Sequence, residues 1–401
     1  MAEQPEFTLH FLTNSPLSAE TANSVAKIEM AKAFCKQNQV KKLCFYLVIE
    51  NREKLESLNL NNISKKLIIK PLFFKRYKEQ ALHGKSFWSF CYTSLFVSPV
   101  SYLRAFYLAL KFPKSDNIYI RDHKSLVGFY FGSLFTKAGY FFELHNYTFG
   151  KKKSSDVLYR RIMKRAEGII ACSEFTKRNW IDNGIPQEKI IVLPSGVNLE
   201  DLDGINKDKN QLRNELGLAT DRKIITYSGA LFENKGIEEI LYCASRYENY
   251  LFLFIGGVQK QIKKYQSYIQ SQFQRNLPNV IFTGHLKHDK IGLYLKASDI
   301  LLAPYPKKGY TVYHLSSIKL IEYMASKVPV IASDLPSIRE VFSEDQVTFV
   351  GPENSEDLYE KIKLVFDDYE KAKSKAAAAY QKIQDFSWTK RTEKIIDFLR
   401  N

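Results

Sequence analysis

No run of about twenty apolar residues occurs in this chain, so a membrane-spanning helix is not expected. Met1 to Glu6 is polar and acidic where a secretory leader needs a basic start, so no such leader is expected either. Cysteine is sparse: Cys35, Cys44, Cys91, Cys172 and Cys243 are scattered without a Cys-x-x-Cys pair. That spacing argues against a zinc site or a disulfide framework. Cys44 and Cys172 lie in or beside apolar runs and read as core residues. Neither a Gly-x4-Gly-Lys-Ser/Thr loop nor a Gly-x-Gly-x-x-Gly fingerprint is present, and no short-period repeat suggests a solenoid. A reduced cytoplasm is the expected compartment.

What is present is enough for two ordinary domains: 401 residues, 45% hydrophobic and 14% aromatic, a composition that excludes disorder. The net charge of +16 is concentrated in places. One basic cluster runs through Lys65, Lys66, Lys70, Lys75, Arg76, Lys78 and Lys85, another is Lys151 to Lys153. Between them lies an aromatic-rich stretch from Phe87 to Phe112. Basic residues beside aromatics suit an anionic bilayer surface, and they suit nucleic acid as well. Core helices with a solvated basic face are the plainer alternative.

Apolar strand-like runs alternate with helical patterns from end to end, which predicts parallel α/β architecture. Seven candidate strands fall before the polar stretch Glu200–Arg222 (7–13, 43–49, 67–69, 118–121, 141–145, 168–172 and 190–194). Six follow it, at 223–228, 251–256, 280–283, 300–304, 328–333 and 347–350. The polar stretch reads as a linker with one short helix, and Tyr369–Lys382 reads as a surface helix.

Open α/β sheets bind ligands beyond the carboxyl ends of their strands, so the residues just past each strand are the candidates. Ser15 and Ser18 follow the first strand and precede a helix whose N-terminus suits a phosphate or a sugar hydroxyl. His145 closes the fifth strand, a position where a lone histidine is more often structural than catalytic. Gly229 permits a tight turn before Lys235, which stands just ahead of a helix and can act as a point charge on a diphosphate. In Ser316-Ser317-Ile318-Lys319-Leu320-Ile321-Glu322-Tyr323-Met324-Ala325, Lys319 and Glu322 share one face near a helix start. Free backbone N–H groups at Ser317 and Ile318 and the Lys319 ammonium suit an anion there, and Glu322 suits a ribose hydroxyl. A solvated Lys–Glu pair is the bland alternative. Asp201-Leu202-Asp203 has the Asp-x-Asp pattern of metal-dependent transferases but sits in the linker, and it reads as chance.

The segment from Ser316 to Ala325 resembles the donor-site motif of the retaining GT-B glycosyltransferases of family 4, in the branch that reads Ser-Pro-Leu-Lys-Leu-Phe-Glu-Tyr-Met. The family's usual Glu-x7-Glu is broken, with His314 at the first position. Val192-Leu193-Pro194-Ser195-Gly196-Val197-Asn198 resembles the family's interdomain segment. The resemblance implies two Rossmann-like domains with parallel sheets facing a central cleft. The N-terminal acceptor domain would be 1–195, the donor domain 196–385, and 386–401 a helix crossing back. It implies that His145 contacts the transferred sugar and that Gly284, His285 and Leu286 lie near the nucleobase. Lys235 and Lys319 would then hold the diphosphate, because Ala230 stands where many relatives carry arginine.

The resulting expectation is a retaining, metal-independent hexosyltransferase. It would move sugar from a nucleoside-diphosphate sugar to a glycan or lipid-linked acceptor, in surface polysaccharide or glycolipid synthesis. It needs no cofactor beyond the donor, and its expected place is the inner face of the cytoplasmic membrane. A nucleotide-sugar epimerase on the same fold is the alternative. Charge alone suggests a nucleic-acid-binding protein, which the ordered phosphate-site motifs argue against.

Overall fold

The computed structural model describes residues 6–17, 22–58, 60–73, 98–112, 117–144, 147–150, 153–308, 312 and 318–400. In chain order the first elements are β1 (Phe7–Pro16), α1 (Ala22–Lys36), β2 (Val40–Ile49), α2 (Arg52–Ser57), β3 (Leu67–Phe73) and α3 (Ser98–Lys111). Next come β4 (Asn117–Ile120), α4 (His123–Ser133), β5 (Phe141–Leu144), α5 (Lys153–Arg165), β6 (Gly168–Ala171), α6 (Glu174–Asp182) and β7 (Ile190–Val192). Two short helices, α7 (Leu199–Asp203) and α8 (Lys209–Glu215), lead to β8 (Ile224–Ser228), α9 (Ile237–Arg246), β9 (Leu251–Ile255), α10 (Gln259–Phe273) and β10 (Val280–Gly284). The remainder is α11 (His288–Ala297), β11 (Ile300–Ala303), α12 (Ile318–Ala325), β12 (Val330–Ser333), α13 (Pro336–Arg339), β13 (Thr348–Val350), α14 (Ser355–Asp367), α15 (Tyr369–Ile383) and α16 (Trp388–Arg400).

All thirteen expected strands form, and their paired neighbours run parallel. The chain divides into two compact units, Met1–Pro194 with Trp388–Asn401, and Ser195–Ser387. The first sheet has the order β3-β2-β1-β4-β5-β6-β7 and the second β10-β9-β8-β11-β12-β13. These are two Rossmann-like sheets, each with one reversal of strand order. Central strands such as Leu251–Ile255 and Ile300–Ala303 are buried along their whole length. Sheets covered on both faces call for such unbroken apolar runs.

Three expectations change in detail. Ser15 lies inside β1, which extends through a register shift to pair Pro16 with Val48, so it is not in a loop past the strand. The polar linker holds two helices, because Asp208 and Gln211 form a capping box that starts the second one. Helix α15 is only half a surface helix: Ala372, Ala376, Ala379 and Ile383 are buried on one face.

In the first unit α16 is held by charge as well as packing. Arg391 donates to Glu143 at 2.8 Å and to the Pro194 carbonyl at 2.7 Å. Arg121 donates to the other Glu143 oxygen at 3.1 Å, and the Tyr119 hydroxyl donates to the same carboxylate. Gln37, just past α1, donates to the Thr389 carbonyl at 2.9 Å.

Candidate active site

In the second sheet the strand order reverses between β8 and β11, which marks the place beyond their carboxyl ends where a ligand binds. Backbone hydrogen bonds tie the strand ends there into a row. Gly229 N–H donates to the Ile255 carbonyl at 2.8 Å, and Gly256 N–H donates to the Gly284 carbonyl at 2.9 Å. Gly229 has φ +138°, and a Cβ there would stand 3.8 Å from Lys319 Cδ. Gly236, at φ +73°, admits no side chain, since a Cβ would lie 1.9 Å from the Pro304 carbonyl oxygen. That close approach sets the one-turn helix Glu233–Lys235 against the end of β11.

Two lysines converge on this reversal point. Lys319, the second residue of α12, has its ammonium 4.0 Å from the Tyr227 ring centre, 4.6 Å from Tyr305 and 5.8 Å from Tyr323. Lys235 Nζ lies 5.1 Å from the same Tyr305 ring. Two of the tyrosines are fixed by their hydroxyls: Tyr227 donates to the Ala230 carbonyl at 2.9 Å, and Tyr323 accepts from Ser228 N–H at 2.6 Å. Among the described residues Lys319 Nζ has no hydrogen-bond partner, although it is out of contact with solvent. Three ring faces offer some attraction to a cation, but no acceptor. Burial therefore pushes the Lys319 pKa well below the ordinary lysine value, and the neighbouring Lys235 charge pushes it the same way. Burial also lowers the pKa of Lys235.

Glu322 follows one turn along α12. Its side chain is 19% exposed, and a basic group beside it is His288 of α11, with Nε2 3.8 Å from Oε1. Burial raises the Glu322 pKa, while His288 and Lys319 oppose the rise. Glu322 borders an open pocket whose polar lining includes His288, Asp289, Asn198 and Asp201 and whose apolar lining includes Leu202 and Leu295. The solvated Lys–Glu pair is thus not what forms: an ammonium sits in an aromatic cage and a glutamate borders a pocket.

The structure brings Gly229, Lys235, Ile318, Lys319 and Glu322 to one region of the second unit. Gly284 ends β10 nearby, and His285 is exposed. Leu286 packs against the buried cluster of Ile224, Leu251, Leu253 and Ile255, so its side chain serves the core. His145, Ser18, Ser317 and His314 lie outside the described residues, as does the side chain of Ser15. Asp203 accepts from Lys327 at 3.1 Å and from Tyr380 at 2.6 Å, a structural role. Sequence reasoning missed His288 and the three tyrosines. Lys319 and Tyr323 are four apart on one helix, but no local spacing announces that Tyr227 and Tyr305 join them.

Two family models match this chain. "Glycosyl transferases group 1" covers residues 208–382, and "Glycosyltransferase Family 4" covers residues 75–201. The chain belongs to the family 4 glycosyltransferases. Among relatives of this family 4 chain, a putative teichuronic acid biosynthesis glycosyltransferase, TuaC of Bacillus subtilis (strain 168), is 27% identical over 173 residues, 43% of this chain and 40% of that one. The processive diacylglycerol alpha-glucosyltransferase of Acholeplasma laidlawii is 22% identical over 199 residues, 49% of this chain and 58% of the relative. The chain thus spans about half the length of the curated relatives it matches. Among solved structures, Anabaena Alr3699/HepE in complex with UDP-glucose superposes with TM-score 0.70 at 18% identity, covering 98% of this chain and 100% of that one. Sucrose-phosphate synthase from Thermosynechococcus elongatus superposes with TM-score 0.72 at 14% identity, covering 98% of both chains. The architecture is the GT-B fold.

Proposed function

We propose that this chain is a retaining glycosyltransferase that uses a nucleoside-diphosphate sugar, acting in surface polysaccharide or glycolipid synthesis. The observation that carries the reading is the Lys319 ammonium: buried, without a hydrogen-bond acceptor among the described residues, and beside Lys235 at the strand-order reversal. Burial disfavours its charge, and an anion beside it would restore that charge. A diphosphate would supply oxygens to both lysines, and Glu322 would accept from the ribose hydroxyls.

In the reaction the bond between the anomeric carbon and the diphosphate oxygen breaks, and the acceptor oxygen forms the new bond on the same face. The acceptor proton passes to the leaving phosphate. Negative charge grows on that phosphate as the sugar becomes oxocarbenium-like, and Lys235 and Lys319 stabilise it there. No metal or cofactor is required in this reading. His145, immediately after β5, is assigned to contact with the transferred sugar, and the first unit is assigned to the acceptor.

Support for the donor class comes from the structural neighbour that binds UDP-glucose. Support for a glycan or lipid-linked acceptor, which this chain would meet at the inner membrane face, comes for the acceptor class alone from relatives named for teichuronic acid and diacylglycerol chemistry. The test is a thermal-shift screen against a panel of nucleotide sugars, followed by turnover with the best binder in the presence and absence of acceptor. Stabilisation and acceptor-dependent release of nucleoside diphosphate are expected. A changed sugar formed without any acceptor would replace this reading with an epimerase.

A further inference from the structure

One apolar face of the first unit is uncovered among the described residues. Helix α3 buries Ser101, Ala105 and Ala109 and turns the opposite side outward. Val100, Leu103, Tyr107 and Leu110 are 45%, 65%, 52% and 44% exposed, and their spacing puts them on one stripe. Helix α4 lies tightly against α3: a Cβ on Gly128 would come 2.3 Å from the Tyr102 carbonyl oxygen, and one on Gly132 would come 2.4 Å from that of Phe106. The C-terminal end of α4 and the residues after it extend the stripe with Phe131, Leu134 and Phe135, the last 76% exposed. The Phe106 and Phe135 rings, 6.0 Å apart, join the two helices into one platform. Scattered exposed apolar residues are ordinary, but a continuous platform of this kind marks a surface that meets something.

Charge decides what it meets. Residues 98–112 and 123–139 contain no aspartate or glutamate. Lys111 Nζ sits 4.6 Å from the Tyr107 ring centre at one edge. At the other, Lys137 is exposed just past Phe135, and Arg165 of α5 donates to Ser133 Oγ at 3.0 Å. A second copy of this face would bring cation against cation, whereas a surface of anionic lipid headgroups complements it. We infer that the α3–α4 platform docks the chain on an anionic lipid surface. The aliphatic and aromatic side chains enter the headgroup–acyl boundary, and Lys111, Lys137 and Arg165 meet lipid phosphates. No helix among the described residues is long and apolar enough to cross a membrane, so the mode is lying on the surface.

The inference rests on the membrane-side acceptor proposed above and is independent of the donor chemistry. The full chain is floated with phosphatidylcholine vesicles and with vesicles that also contain phosphatidylglycerol. The variants are Leu103→Glu, Phe135→Glu and the pair Lys111→Glu with Lys137→Glu, all at exposed positions. The parent is expected to float only with phosphatidylglycerol and less so as salt rises, and each variant to lose about tenfold or more of its binding. The thermal shift with the nucleotide-sugar panel is read on the same proteins and should match the parent. It confirms folding and keeps failure of docking distinct from failure of the donor reading. Variants that float like the parent, equal flotation on neutral vesicles, or no flotation would overturn the inference. So would a dimer in sedimentation that Leu103→Glu dissociates.

Discussion

Burial of the Lys319 ammonium among three tyrosine rings makes its charge depend on what occupies the site. In the free protein its pKa lies well below the ordinary lysine value. A bound diphosphate raises it again, so at any pH between the two values donor binding takes up a proton, and affinity falls as pH rises toward the bound value. Calorimetric titration in buffers of different ionisation enthalpy should show that uptake, and Lys319→Met should abolish it. The same variant removes a buried amine that has no hydrogen-bond partner among the described residues. The free protein is therefore expected to melt at a higher temperature while kcat falls about tenfold or more, roughly 1.4 kcal/mol. Lys235→Ala should cost a similar factor, and the double variant should be non-additive if both lysines act on one diphosphate as proposed. Ala230→Arg should partly restore Lys319→Ala, by returning a cation to the loop after β8. A second buried lysine offers a control: Lys27 of α1 is fully buried and its pKa is lowered to about 7, first by burial and then by Arg121. Because the unfolded chain holds the Lys27 proton up to the ordinary lysine value, this group destabilises fully below about pH 7, and the penalty fades as pH rises. Lys27→Met should accordingly stabilise more at pH 6 than at pH 9, as read by unfolding.

Helix α16 shows how much one terminal element depends on a distant partner. Arg391 lies 248 residues from Glu143 and shares its carboxylate with Arg121 and Tyr119. Arg391→Ala leaves part of a buried charge unmatched and should cost about 3 kcal/mol or more in stability, measured by denaturant unfolding. Arg391→Lys should recover only part of it, since an ammonium cannot reproduce the forked donation to Glu143 and Pro194. This network had no sequence signature, because hydrophobic period and strand spacing report local conformation and not which distant residues meet. What those patterns could report, they did: strands such as Leu251–Ile255 and Ile300–Ala303 stand out as short, unbroken apolar runs between helices. The ends of elements were less legible. β1 continues past Thr13 to Pro16 only because its pairing with β2 holds across a register shift.

At the scale of the molecule, the reversal of strand order in the second sheet explains why Lys235 and Lys319, which follow β8 and β11, converge on one place. Lys319 and Glu322 were visible from their spacing on one helix and from the family motif around them. Their burial was not visible, since it comes from Tyr227, Tyr305 and His288 on other elements. If Lys235 and Lys319 neutralise the leaving diphosphate as proposed, turnover should survive a chelator at a concentration that strips divalent cations; loss restored by a metal ion would contradict that role. The most direct test of the lysines' part in transfer is release of nucleoside diphosphate from the best-binding nucleotide sugar by the parent and by Lys319→Met, measured with acceptor under saturating donor. The predicted rate is at least about tenfold lower in the variant, with the fold intact by melting temperature. A folded Lys319→Met protein that transfers sugar at the parental rate would contradict it.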